Sequence, residues 1–182
     1  MRARRVLALA AGLGLAAGVA GAAPRRAAPL GFVSPELFAG YSYTAAGEAS
    51  LHGLGLSGSY PLGTAFHLVV DLSVHGGSYA GADLGQLGFM AGARFSPLSG
   101  RFRPFAEGLL GGVRTSASVT SGDVRIDDAD TDWGLALGGG LDYGLNERWA
   151  LRALFQLRLL HGDGTWDSDP RFAVGAVYRL RR

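Results

Sequence analysis

The sequence predicts an all-β protein, namely an eight-stranded antiparallel up-and-down transmembrane β-barrel that is preceded by a cleaved signal peptide. Three observations support this fold. Apolar and polar residues alternate with a period of two in eight segments. Aromatic residues lie at the ends of those segments on the apolar face, and short connections alternate with longer polar ones.

Composition narrows the protein class further. Glycine contributes 30 of the 182 residues, every basic residue is arginine, and 48% of the residues are hydrophobic, which excludes an intrinsically disordered chain. The absence of cysteine excludes a disulfide framework, a zinc–thiolate site and a thiol nucleophile.

The first 23 residues have the three parts of a secretory signal peptide. A basic start at residues 1–5 precedes an apolar run at residues 6–20, and small residues follow, so we expect cleavage near Ala22 or Ala23. The apolar run is shorter than the ~20 residues of a membrane-spanning helix. We therefore assign residues 1–23 to a signal peptide.

A lead-in of residues 24–34 without periodicity separates this segment from the predicted barrel domain, residues 35–182. Removal of Arg2, Arg4 and Arg5 with the signal peptide lowers the formal charge from +2 to about −1. Neither that charge nor any arginine–aromatic cluster supports a nucleic-acid partner.

The first four predicted strands cover residues 35–44, 51–60, 66–75 and 86–96. Alternation is weaker in the first two. In the third, apolar residues occupy the even-numbered positions, and polar residues such as Asp71 occupy the opposite face. The fourth follows the same rule with its apolar residues at odd-numbered positions.

The last four predicted strands cover residues 103–114, 133–143, 149–159 and 171–180. The fifth strand is weak, whereas the sixth, seventh and eighth each have one apolar, uncharged face. Their other faces hold small or polar residues, including arginine and aspartate. A two-sheet sandwich in water and a barrel in lipid both satisfy this alternation.

The placement of the aromatic residues favours a barrel in lipid over a sandwich in water. With the N-terminus in the periplasm, one belt of aromatic residues lies at the lower strand ends and a second at the upper ends, as expected at the two membrane interfaces. The predicted short turns are 61–63, 97–101 and 146–148, and the longer polar connections are 76–84, 116–130 and 161–169. The lower belt comprises Tyr60, Phe66, Phe95, Tyr143, Trp149 and Tyr178, and the upper belt comprises Tyr43, Trp133 and Phe172.

Residues 103–112, 137–143 and 172–180 carry a resemblance to a known family. In these strands the chain resembles the small eight-stranded outer-membrane barrels of the OmpA/OmpX-like type. The resemblance implies a Gram-negative cell outer membrane location, contact with outer-membrane lipid and lipopolysaccharide, recognition by the barrel-assembly machinery, a monomer and no cofactor. It leaves activity open, because this fold carries adhesins, anchors, porin-like proteins and a few enzymes.

An eight-stranded barrel is just wide enough for side chains to fill its lumen. The turn around Glu147 sets the register of two strands and puts Asp142 opposite Arg152, so we expect an ion pair there. Glu107 and Arg94 form a second candidate pair. These residues either fill the lumen or line an ion pathway.

The only candidate metal motif is Asp128, Asp130 and Asp132, whose spacing matches the start of a calcium loop. Trp133 and Gly139 stand where such a loop needs glycine and glutamate. We therefore predict no metal site and a solvated surface loop.

We expect no catalytic residues and a structural or surface-contact role through the extracellular loops. Two other functions stay open, a narrow porin-like diffusion path for small solutes and a lipid A-modifying enzyme. The enzyme hypothesis depends on His161 with Ser168 and Asp163, or on His52, at the outer rim.

Overall fold

A computed structural model describes residues 34–47, 49–79, 82–121, 124–162 and 164–180. The predicted signal peptide and nearly all of the lead-in lie outside the described residues. Within them, eight strands form a closed antiparallel barrel, which confirms the predicted fold. No helix there has the length and apolar character of a membrane span. The strands are β1 (Glu36–Ala46), β2 (Ala49–Pro61), β3 (Phe66–Tyr79), β4 (Ala82–Phe95), β5 (Phe102–Ser121), β6 (Val124–Gly144), β7 (Trp149–Gly162) and β8 (Thr165–Arg179).

The two faces of the barrel wall have inverted polarity compared with a protein in water. Leu110 and Leu54 on the outer face are 70% and 66% exposed, whereas Arg158 and Arg171 on the inner face are fully buried. Buried leucine and exposed arginine are the rule for soluble proteins. An outer apolar surface around a polar interior is instead the arrangement of a barrel that crosses a lipid bilayer.

The aromatic belts lie on this outer face and bracket an apolar band. Phe66 contacts Phe95 at the lower end with ring centroids 5.0 Å apart, and Trp149 contacts Tyr178 at 4.8 Å. Trp133 and Tyr143 on β6 are ten residues apart, about 33 Å of strand and ~25 Å of height at a tilt of ~40°. That height matches the apolar band of an outer-membrane barrel.

The three connections that the sequence predicted as long polar loops are mostly strand. The β3–β4 ladder continues to the pair Tyr79↔Ala82, the β5–β6 ladder to Ser121↔Val124, and the β7–β8 ladder to Gly162↔Thr165. Pairing across each hairpin continues past the apolar band, so the polar residues there extend the strands instead of forming loops.

The β5–β6 hairpin extends furthest beyond its neighbours. The β6–β7 ladder begins only at the pair Trp133↔His161, so residues 124–132 of β6 pair with β5 alone. This segment of nine residues is ~30 Å long at about 3.3 Å per residue. Residues 124–131 have no strand partner on their second edge among the described residues.

We predict that Leu137→Arg, at mid-height on the lipid-facing side of β6, lowers the free energy of unfolding by about 2–4 kcal/mol. The cause is the transfer of a charge into the bilayer centre. Leu62→Arg, in a lower turn, is the control and should cost at most about 1 kcal/mol. Both leucines are more than half exposed, at 57% and 65%. Urea unfolding from phospholipid vesicles measures the difference, and equal stability of the two variants contradicts the lipid-facing assignment.

Candidate functional site

The lower third of the lumen holds an ion-pair cluster, which we call the lower cluster: Glu36, Arg103, Asp142, Arg152 and Arg179. Asp142 lies directly opposite Arg152 in the β6–β7 ladder. Arg152 donates Nε to Asp142 Oδ1 at 2.6 Å and Nη2 to Oδ2 at 2.8 Å. Two parallel charge-assisted bonds fix both the distance and the orientation of the guanidinium.

Glu36 and Arg103 extend this pair to other strands. Arg152 Nη2 donates to Glu36 Oε2 at 3.1 Å, and Arg103 Nη2 donates to Glu36 Oε1 at 2.9 Å and Asp142 Oδ2 at 3.2 Å. Arg179 Nε reaches Glu36 Oε1 at 3.4 Å. The sequence pattern did not predict that Glu36, Arg103 and Arg179 join this pair. Glu36 and Arg179 lie at positions whose alternation predicts an inward side chain, and closure of β1 onto β8 places these positions opposite each other. These two residues could therefore have been predicted.

A second contact joins β4, β5 and β7 above the lower cluster. Arg94 lies opposite Glu107 in the β4–β5 ladder, and its Nη2 lies 2.7 Å from Glu107 Oε2. Gln156 Nε2 donates to the other oxygen, Oε1, at 2.7 Å. The guanidinium carbons of Arg94 and Arg152 lie 4.5 Å and 4.9 Å from the centre of the Phe105 ring. These cation–π contacts connect the second pair to the lower cluster.

A further group, the upper cluster, surrounds Asp71 on β3. Arg171 Nη1 donates to Asp71 Oδ1 at 2.6 Å and to Gln156 Oε1 at 2.8 Å, so Gln156 connects this cluster to Glu107 below. Arg158 Nη2 donates to Ser73 Oγ at 2.9 Å and lies 3.9 Å from Asp71 Oδ1. The other polar contacts here involve Ser42, His75, Gln86 and Asp169.

Glycines in the wall leave room for the upper arginines. A Cβ at Gly88 would lie 3.1 Å from Arg158 Nη1, and one at Gly55 would collide with Arg171 Nη2. Gly55, one of the glycines that weaken the strand pattern of β2, therefore has a packing role, because it lets a long side chain lie flat against the wall.

Apolar side chains fill the space between the polar groups. One cluster of inward residues includes Phe38, Phe105 and Leu154, and a second includes Met90 and Leu109. With the paired arginines, these buried side chains project into the lumen at several heights. The arrangement can hold the barrel rigid and block solute passage.

Asp128, Asp130 and Asp132 lie in strand β6 and not in the loop that the sequence predicted. Asp130 is exposed, and its Oδ1 accepts a hydrogen bond from the backbone N–H of Thr131 at 2.7 Å. Positions two apart in a strand are separated by about 6.6 Å, so positions 128, 130 and 132 are spread along the hairpin. In the described part of the chain, no three acidic or histidine side chains gather as a metal site.

The candidate catalytic residues at the outer rim do not come together. The His161 ring packs against Trp166 with centroids 4.9 Å apart. Ser168 lies opposite Leu159 in the β7–β8 ladder, and Asp163 lies outside the described residues. His52, on β2, forms a hydrogen bond with the Tyr41 hydroxyl.

Comparison with known proteins finds the same architecture. The family model described as outer membrane protein beta-barrel domain matches residues 6–179. The solved structure of Ail, the attachment invasion locus protein of Yersinia pestis, is similar with a TM-score of 0.58 and 18% identity, over 81% of this chain and 97% of that chain. Ail has also been solved in complex with the heparin analogue sucrose octasulfate.

Two further solved structures are similar. Neisserial surface protein A gives a TM-score of 0.60 and 17% identity, over 80% of this chain and 96% of that chain. OprG from Pseudomonas aeruginosa gives a TM-score of 0.55 and 16% identity, over 82% of this chain and 96% of that chain. At these identities the likeness shows the fold alone. A search of curated proteins gives no match.

We predict that Arg152→Met destabilises the barrel by about 3–5 kcal/mol, because it leaves the buried carboxylate of Asp142 without its bidentate partner and removes one of the partners of Glu36. Arg148→Met, in an exposed turn, is the matched control and should change stability by no more than about 0.5 kcal/mol. Equilibrium urea unfolding in vesicles compares the two. If both variants are as stable as the parent, the lower cluster has no structural role.

Proposed function

Because the chain belongs to the outer membrane protein beta-barrel domain family, we propose that it is a non-catalytic outer-membrane protein that contacts other molecules through its outer hairpins. The observation that carries this proposal is the β5–β6 hairpin, in which β6 extends nine residues beyond its ladder with β7, while β5 stays paired with β4 as far as Ser118. The rest of the molecule then serves as its anchor in the membrane.

The filled lumen supports an anchoring role. Arg152 and Arg171 lie in the lumen with at most 3% exposure, and their pairing with carboxylates favours a single fixed arrangement. A rigid barrel holds an extended hairpin at a constant position relative to the membrane. A narrow diffusion path is the alternative, and it requires these groups to move aside.

The free edge of β6 suits a protein partner. Residues 124–131 pair with β5 through one edge, and among the described residues no strand pairs with the other edge, which leaves it available for an added strand. The outer half of β6, residues 124–132, contains four aspartates, Asp127, Asp128, Asp130 and Asp132, against one arginine, Arg125. Its negative charge favours a basic partner and disfavours a polyanion such as the heparin analogue that Ail binds.

We predict that Ala129→Cys, in the outer half of β6, reacts with a membrane-impermeant maleimide on intact cells. Ser99→Cys, in a short lower turn, should react only after the outer membrane is permeabilised. The natural chain has no cysteine, so each variant carries a single reactive thiol. Labelling of Ser99→Cys on intact cells, with protection of Ala129→Cys, would reverse the proposed orientation and exclude a surface-contact role for this hairpin.

We also predict that the purified protein gives no steady conductance in planar bilayers, because the paired arginines and the apolar clusters occupy the lumen. An open porin inserted into the same bilayer is the positive control. Steady channel currents that scale with the amount of inserted protein would favour the diffusion-path alternative over the anchor.

A further inference from the structure

A groove of about 450 Å³ lies on the lipid-facing side of the barrel where β1 meets β8. We call it the seam groove. Apart from the backbone of Arg171, whose side chain is buried in the lumen, its walls are aromatic and aliphatic. The residues that form these walls are Tyr41, Tyr43, Phe155, Pro170, Phe172 and Val174.

The unequal height of the hairpins creates this groove. The β1–β8 ladder stops at the pair Thr44↔Arg171, whereas β8 continues beside β7 as far as Thr165. Pro170 is the first β8 residue beyond the ladder. Proline has no backbone N–H, so this position of the strand edge has no donor that needs a partner. Phe172 therefore lies between Tyr43 and Phe155, its direct partners on the two neighbouring strands.

A small polar cluster borders the groove on the β2 side. The Tyr43 hydroxyl lies 3.0 Å from Ser50 Oγ, and the Tyr41 hydroxyl is hydrogen-bonded to His52 Nδ1. The His52 ring packs against Tyr43 with centroids 5.3 Å apart. These outward side chains lie near the upper end of β1 and β2, at the level where a membrane changes from acyl chains to head groups.

We propose that the seam groove binds one acyl chain of a lipid A molecule from the outer leaflet. The groove is continuous with the lipid-facing band, so its occupant comes from the membrane. It lies near the hairpin ends of the strands, beside the last pairs of the β1–β8 ladder, and these ends face the leaflet where lipopolysaccharide resides. This assignment depends on the orientation proposed above, which the cysteine labelling tests independently.

The polar cluster determines how the head group is held. Tyrosine hydroxyls, serine and histidine exchange hydrogen bonds with amides, esters and hydroxyls, and these are the groups that join acyl chains to the sugars of lipid A. The side chains that line the groove present no positive charge to the lipid, because the Arg171 guanidinium lies inside the lumen. Recognition therefore involves the acyl linkage and not the phosphates.

Native mass spectrometry of the purified barrel tests this site, with hexa-acylated lipid A and phosphatidylethanolamine added at equal concentration. We expect one retained lipid A molecule, and a loss of affinity of about tenfold or more in the Tyr43→Ala, Phe172→Ala double variant. The control double variant, Tyr60→Ala with Phe66→Ala, removes two aromatic rings from the lower belt and should bind lipid A as the parent does.

Tyr41→Phe combined with Tyr43→Phe keeps the rings and removes only the hydroxyls, so it tests the polar cluster in a barrel with unchanged packing. We expect its affinity for lipid A to fall by about threefold. Equal retention of phosphatidylethanolamine overturns the proposed occupant, and so does an equal loss of affinity in the lower-belt control. Heat-modifiable gel migration verifies that each variant is folded.

Discussion

Closure of β8 onto β1 is the constraint on which the rest of this structure depends. In a lipid core no water can bond to the backbone, so each N–H and C=O within the band needs a partner strand. The nine-residue ladder between β1 and β8 supplies the last of these partners. Closure also fixes which residues face inward, and it brings Glu36 beside Arg179 although they lie 143 residues apart.

The interior then has to satisfy the charges that closure encloses. Gln156 connects Glu107 to Arg171, and the Phe105 ring connects Arg94 to Arg152, so the polar groups form a connected network along the lumen. Such a network is costly if one partner is lost, because the remaining charge is then buried alone. The same property makes the barrel a rigid support.

Outside the apolar band, the unequal hairpins produce the two surfaces available to other molecules. The tall β5–β6 hairpin offers an acidic strand edge above the membrane. The short β1–β2 hairpin leaves a step at the seam with β8, and the step opens a groove toward the lipid. We propose that the first surface takes a protein partner and the second a membrane lipid, on different parts of the rim.

The amino-acid pattern was sufficient to predict the eight strands and their inward and outward faces. It also predicted which residues lie opposite each other across a tight turn, such as Asp142 and Arg152. These features are local, because alternation and turn length are set by neighbouring residues. The positions of Glu36, Arg103 and the upper cluster around Asp71 depend on pairings between distant strands, several of them rich in glycine and weak in pattern. The height of the β5–β6 hairpin likewise depends on strand pairing. Beyond the membrane, loops and strands have the same polar composition, so composition does not distinguish them. Long-range register and closure therefore decided the lumen network and the rim, because no short stretch of sequence contains both partners of those contacts.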